Sequence, residues 1–202
     1  MDKSIIENHE RYCARIEMFK RSGYDIEKER NLILEKALPL KGSILEVGTG
    51  KGHFAIILAQ KGYSFTSVDI SEKEQEYAKM NIEYYGLQEK IDFRVEDAEQ
   101  LSFENNSFDM IFAINMIHHL SSPYKVIDEF VRVVKGSGKI IVSDFNKKGL
   151  ALVDKIHRSE GREHPTGRAA IDEVKNYLSD KEFETERCET VFQETIIAYP
   201  SQ

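Results

Sequence analysis

The chain has 202 residues, enough for one domain with a full core, and its 41% hydrophobic and 31% charged content excludes the hydrophobic-poor signature of disorder. A formal net charge of -7 argues against a nucleic-acid partner, because phosphate contacts call for a basic surface. No run approaches the roughly 20 apolar residues of a membrane helix, so no membrane partner is expected.

The N-terminal run MDKSIIENHERYC turns polar at once and has no apolar signal core. The two cysteines, Cys13 and Cys188, stand far apart and in no CxxC pattern, which fits a reducing compartment. The expected location is cytoplasmic.

Residues 1–40 read as a helical cap. Ile5, Ile6, His9, Tyr12, Cys13, Ile16 and Phe19 recur at spacings of three and four, which places them on one helical stripe. Ser22-Gly23 breaks that helix, and Asp25 caps a second one running to about Leu38, before Pro39. From Ser43 short apolar runs alternate with amphipathic helices. Strands are expected at 43–47, 65–68, 91–95, 108–114 and 139–144, with helices at 53–60, 72–85 and 123–135. This βαβ rhythm, with strands apolar on both faces, predicts a parallel sheet covered on both sides. Residues 146–167 are polar and read as irregular. A helix at 169–179 follows, and 184–191 and 195–199 read as a terminal hairpin. The expectation is one domain over 1–202, with a core at 41–145 and a variable segment at 146–202.

The most informative segment is Ile44-Leu45-Glu46-Val47-Gly48-Thr49-Gly50-Lys51-Gly52-His53-Phe54. It leaves a strand, passes three alternating glycines and enters a helix. Glycines there let the backbone turn sharply and approach a ligand without a Cβ clash, and the helix start offers free N–H groups. The G-x-G-x-G spacing departs from the dinucleotide G-x-G-x-x-G, whose third glycine would fall on His53, and it lacks the G-x-x-x-x-G-K-[ST] of a phosphate-binding loop. The Glu46 carboxylate disfavours a pyrophosphate and suits a cationic ligand. A dehydrogenase is therefore the weakest of the enzyme readings.

The segment from Glu46 through Gly48 and Gly50 to Gly52 resembles motif I of the class I S-adenosylmethionine (SAM)-dependent methyltransferases. Asp69, ending the second strand 21 residues beyond Gly48, resembles the family's ribose-binding acid and fits the general rule for that contact. Glu96-Asp97-Ala98 resembles the family's adenine-side turn. The run from Asn106 to Asp109 and on to Asn115-Met116-Ile117-His118-His119-Leu120 resembles its fourth strand and the loop beyond. Residues 130–144 are similar to its last helix and fifth strand. The resemblance covers 43–145 and implies a doubly wound α/β fold, with a seven-stranded, mostly parallel sheet whose last strand is antiparallel. It also implies SAM as cofactor, S-adenosylhomocysteine (SAH) as product and a small-molecule acceptor. Implied cofactor-binding residues are Glu46, Gly48, Thr49, Gly50, Gly52, Asp69, Ile70, Asp97, Ala98, Asn115 and Met116. The first helices, with Tyr12 and Arg15, would cap the site. Other readings that keep SAM are a fold-related enzyme of different chemistry, such as decarboxylation or carboxymethyl transfer, and a non-catalytic SAM- or SAH-binding regulator.

His118 and His119 are the candidate catalytic pair, since imidazole titrates near neutral pH. His9 and Cys13, four apart, together with His157 and His164 could offer imidazole and thiolate to a metal, but the first pair also belongs to the apolar stripe and no metal site is expected. Lys155, His157, Arg158, Arg162, His164 and Arg168 form a local basic cluster in an acidic chain, diluted by Glu160 and Glu163. Such a run is commonly a solvated helix face; its place after the fifth strand also suits recognition of an anionic acceptor group.

Overall fold

The computed structural model describes residues 1–167 and 169–201. Seven strands form one sheet: β1 (Ile44–Val47), β2 (Phe65–Asp69), β3 (Ile91–Val95), β4 (Phe108–Ile114), β5 (Val134–Phe145), β6 (Phe183–Glu189) and β7 (Gln193–Pro200). Their order is β3-β2-β1-β4-β5-β7-β6, with β7 antiparallel to both of its neighbours and the other strands parallel. The expected sheet, with its antiparallel last strand, is the one found.

Alternation along the strands feeds two separate apolar layers. Ile44, Met110, Phe112 and Ile141 point to one face, while Leu45, Val47, Ile111, Ala113 and Val142 point to the other. The first face is covered by α1 (Lys3–Arg21), α2 (Ile26–Ala37), α3 (His53–Gln60) and α4 (Glu72–Tyr84), and the second by α5 (Tyr124–Val133) and α7 (Ile171–Asp180). α1 starts at Asp2, whose carboxylate accepts from the Ser4 N–H, and α2 starts at Asp25, which accepts from the Lys28 N–H. No described helix is long and apolar enough to cross a membrane.

Two segments differ from the sequence reading. β5 begins at Val134 rather than 139, because Val134 pairs with Phe108 before a register shift and regular pairing resumes at Met110 with Lys139. Lys135-Gly136-Ser137-Gly138 has the composition of a loop and falls in that register shift, between the paired residues Val134 and Lys139. The second difference is α6 (Lys147–Ser159), where irregular chain was expected. Its cap is Asn146, whose side chain accepts from the N–H groups of Lys148 and Gly149, and it buries Gly149, Val153 and Ile156 at helical spacing. The glycine and the charged residues around it mask that pattern in the sequence. α6 packs Val153 and Ile156 against Phe19, Tyr24 and Ile26, so it ties the first two helices to the carboxyl end of β5.

Gly149 is needed for that packing. A Cβ there would lie 2.3 Å from the carbonyl oxygen of Phe192 and 2.9 Å from the Phe145 ring. The same carbonyl accepts from the Asn146 N–H at 3.0 Å, so it cannot retreat freely. Gly149→Ala is therefore expected to cost about 1–3 kcal/mol in urea unfolding, the usual range for overpacking; an unchanged midpoint would mean that the α6 contact is looser than this.

Candidate functional site

The strand order reverses direction between β1 and β4, and open α/β sheets bind ligands in the crevice at the carboxyl ends of such strands. A cavity of about 680 Å³ lies there. Gly48, Gly50, Asp69, Ile70, Asp97, Ala98, Asn115 and Met116, all named from the sequence, lie in its wall.

The glycine turn is built as its residue types suggest. Gly48, Gly50 and Gly52 have φ of 88°, 50° and 83°, in the left-handed region that L side chains rarely adopt. At Gly48 a Cβ would press on Met116 Cβ at 3.3 Å, and at Gly52 on Ala78 Cβ at 3.2 Å. Gly48 thus lets the cavity floor come close to Met116, and Gly52, at the start of α3, lets that helix approach α4.

Asp69 ends β2 facing the turn. Its Oδ2 accepts from the Gly50 N–H at 2.8 Å and its Oδ1 from the Ser71 N–H at 2.9 Å. Ser71, not Asp69, caps α4, as its residue type leads one to expect. Asn115 follows β4 with a φ of 54°, its N–H held by the Ser143 carbonyl and its buried side-chain Oδ1 without a partner among the described residues. A buried acceptor left unpaired beside a cavity is a place for a ligand's donor.

Glu46, Thr49 and Gly52 stand behind the cavity rather than in its wall. The Glu46 carboxyl is 2% exposed and accepts from Ser67 Oγ at 2.6 Å; Thr49 Oγ1 lies 2.6 Å from the same Ser67 oxygen. Burial pushes the Glu46 pKa up to about 8, against the smaller opposing effect of the Ser67 bond, so at neutral pH it is mostly protonated. The expectation of a free carboxylate at the cavity wall does not match this geometry.

Four further acids, Glu74, Glu96, Asp97 and Glu99, line the cavity with Asp69. Of these, the sequence pointed to Asp69 and Asp97, with Glu96 in the same turn as Asp97; Glu74 and Glu99 look like ordinary solvated acids in sequence, and only the fold brings them together. An acidic rim with no lysine or arginine among the described residues of the wall favours a cationic ligand over a phosphate.

A second cavity of about 240 Å³ adjoins the first, and the two share Glu74, Asn115 and His119. Arg15, Lys51, His53, His118, His157 and His164 also line it. His118 and His119 lie on a short 3₁₀ turn just after β4. His118 is buried; its Nδ1 donates to Asp144 Oδ1 at 2.5 Å and its backbone N–H to Oδ2 at 2.8 Å. His119 Nδ1 donates to the Pro165 carbonyl at 3.0 Å, and burial lowers its pKa. Burial also brings His53 down to about 3 and His157 to about 4.

The proposed capping role of α1 has a structural counterpart, since Tyr12 stacks on His53 at 4.8 Å and Arg15 reaches His157 Nε2 at 3.0 Å. The basic cluster is divided. His157 and His164 face the second cavity, while Arg162 and Arg15 both pair with Glu160 at the edge of an outer groove. Arg158 is exposed and bonds to its own helix at Asp154, and Arg168 lies outside the described residues. The four-residue metal grouping is not assembled: His9 and Cys13 contact each other at 3.2 Å beside Tyr84 and Tyr85, away from His157 and His164.

Comparison with known proteins places this geometry. Residues 45–142 match the family model described as a methyltransferase domain. The 27-O-demethylrifamycin SV methyltransferase of Amycolatopsis mediterranei is 28% identical over 78% of this chain and 60% of its own length. The ubiquinone biosynthesis O-methyltransferase of Dechloromonas aromatica is 31% identical over 61% of this chain and 53% of its own. The chain thus spans only 53% to 60% of the length of these curated relatives. A crystal structure from Pyrococcus horikoshii matches 94% of this chain and 91% of its own, with a TM-score of 0.70 at 24% identity. The [4+2]-cyclase SpnF matches 87% and 82%, with a TM-score of 0.68 at 18% identity. These structural likenesses establish the fold.

Proposed function

We infer that this chain, whose residues 45–142 match a methyltransferase domain, is a class I SAM-dependent methyltransferase that transfers a methyl group to a hydroxyl of a small molecule in the cytoplasm. The observation that carries the reading is the acid-rimmed cavity at the β1/β4 switch point, walled by Gly48, Gly50 and Asp69 and open to a second, histidine-lined cavity. The oxygen acceptor is suggested by the two relatives named above, whose names specify O-methylation.

The residues fit the cofactor. Asp69 offers a carboxylate to the paired ribose hydroxyls, and Asp97 with Ala98 lies where the adenine would sit. Ile70, 71% exposed beside Asp69, supplies an apolar surface for a ring to cover. The unpaired Oδ1 of Asn115 can accept from the amino group of the methionine part. Glu46, Thr49 and Gly52 hold the turn in shape from behind. SAM supplies a methyl group already activated by its sulfonium.

What remains for the protein is alignment of the acceptor, exclusion of water and disposal of one proton. The acceptor oxygen gives up its proton and forms the O–CH3 bond as the S–CH3 bond breaks, leaving SAH. His118 and His119 are placed to help the acceptor shed that proton, and Asp144 fixes the His118 ring so that its Nε2 is turned away from the carboxylate.

Calorimetric titration with SAM and SAH should give one site per chain, and incubation with small phenols and polyketide hydroxyls should yield SAH in step with methylated product. SAM binding without SAH formation across such acceptors would favour a regulator or a fold-related enzyme of other chemistry; no binding at all would end the cofactor reading.

A further inference from the structure

Three histidines meet at the wall between the two cavities. His118 and His119 come from the turn after β4, and His164 from the segment following α6. One ligand atom from each lies within 4.8 Å of the other two.

Their hydrogen bonds determine which nitrogen of each ring is left free. Nδ1 of His118 donates to Asp144, Nδ1 of His119 to the Pro165 carbonyl, and Nδ1 of His164 to Asp154 at 2.8 Å. Carboxylates and carbonyls accept only, so each Nδ1 carries its ring's proton and each neutral ring has a lone pair on Nε2. Among the described residues no donor bonds to any of these three Nε2 atoms. Three free imidazole lone pairs on rings whose centroids lie 4.0 to 5.5 Å apart call for a positive charge.

An imidazole whose Nδ1–H is held by a carboxylate or a backbone carbonyl is the usual metal-binding form, because the second bond fixes the tautomer and raises basicity. Here all three rings have that partner. Asp144 is 3% exposed, and with Asp154 it brings two negative charges to balance a dication in a region that also holds Arg15 and Lys51. A tetrahedral site needs nitrogens about 3.3 Å apart, and the present ligand atoms lie within 4.8 Å of one another.

We propose that the Nε2 atoms of His118, His119 and His164 form a three-imidazole site for a first-row divalent cation of the zinc type, with its fourth position open to the second cavity. Three protein ligands and one open position are the pattern of a catalytic rather than a structural zinc. Imidazole sets favour zinc, cobalt, nickel or iron over magnesium and calcium. On the methyltransferase reading, the fourth position takes the acceptor hydroxyl and lowers its pKa, so that the proton leaves without a free imidazole base. Only that last point rests on the assigned activity.

The test uses the full chain without a histidine tag, stripped with chelator and titrated with Co²⁺. One equivalent should produce visible d–d absorption that Zn²⁺ abolishes. His164→Gln should weaken Co²⁺ binding at least tenfold, and Asp154→Ala, which removes the acceptor for the His164 Nδ1–H, about 10–100-fold. His9→Gln, in the other histidine-containing cluster, should bind as the parent does. SAM calorimetry on the same samples checks that each variant is folded, and it also separates the two readings. Cobalt bands without SAM binding would keep the metal site and remove the methyltransferase assignment. Absence of the bands in the parent chain, or bands unchanged in both His164→Gln and His119→Gln, would overturn the metal site.

Discussion

Asp69→Ala is expected to weaken SAM and SAH binding at least about 100-fold, since two hydrogen bonds from hydroxyls to a carboxylate contribute roughly 1.5–3 kcal/mol each. The loss should exceed that of the ligand bonds alone. In the ligand-free protein the same carboxylate accepts from the Gly50 and Ser71 N–H groups, so it also holds the glycine turn against β2 and the start of α4. Asp69→Asn tests the charge with little change of shape. Its NH2 group would face one of those two N–H donors, so binding should fall in this variant as well. Calorimetry gives the affinity, and the thermal midpoint shows whether the turn has collapsed. A dissociation constant within threefold of the parent value would mean that the cavity at the β1/β4 switch point binds something other than a ribose.

The sequence carried the residues of this cavity because they sit next to strand ends, where the chain order and the spatial order coincide. Gly48 and Gly50 follow β1, Asp69 ends β2, Asp97 follows β3 and Asn115 follows β4, so a strand assignment places each of them at the carboxyl edge of the sheet. The position of Glu46 was less readable. An acid inside an apolar strand is expected either to face a ligand or to be buried and protonated, and the choice depends on Ser67, whose proximity only pairing of β1 with β2 creates.

The second cavity was beyond the sequence for a different reason. His118 and His164 are brought together by α6, a helix whose apolar spacing is hidden by Gly149 and flanking charges, and by the turn of chain after it. Counting histidines and cysteines along the chain suggested grouping His9 and Cys13 with His157 and His164. The fold instead gives His9 to a stack of tyrosines on α1 and α4 and leaves His164 beside His118 and His119. The basic cluster illustrates the same limit, since Glu160 neutralises Arg162 within the cluster and also pairs with Arg15 from 145 residues away.

Stability of the ligand-free chain should peak near pH 6.5 and fall by about 1 kcal/mol between pH 6.5 and 8, with the loss from one proton partly offset while the unfolded-state histidines finish titrating. Two buried groups on adjoining elements set the shape. His53, lowered from 6.5 to about 3 by burial, stays neutral in the folded chain while the unfolded chain takes up a proton. Its contribution is complete above pH 6.5 and is lost as the pH falls below that value. His157, lowered to about 4, steepens the same acid limb. Glu46 acts in the opposite sense. Raised from 4.5 to about 8 by burial, it keeps its proton in the folded state after the unfolded chain has released it, so its contribution is present at low pH and is lost as pH rises to 8. Below pH 6.5 the histidines offset or outweigh it; above that pH their effect levels off and Glu46 tilts the curve. Glu46→Gln keeps the Ser67 bond through the amide oxygen and has no proton to release. Urea unfolding of this variant should show no decline from pH 6.5 to 8, and a slight rise, where the parent declines. An equal decline in both proteins would show that the Glu46 carboxyl ionises at an ordinary pH, with water reaching it behind the glycine turn.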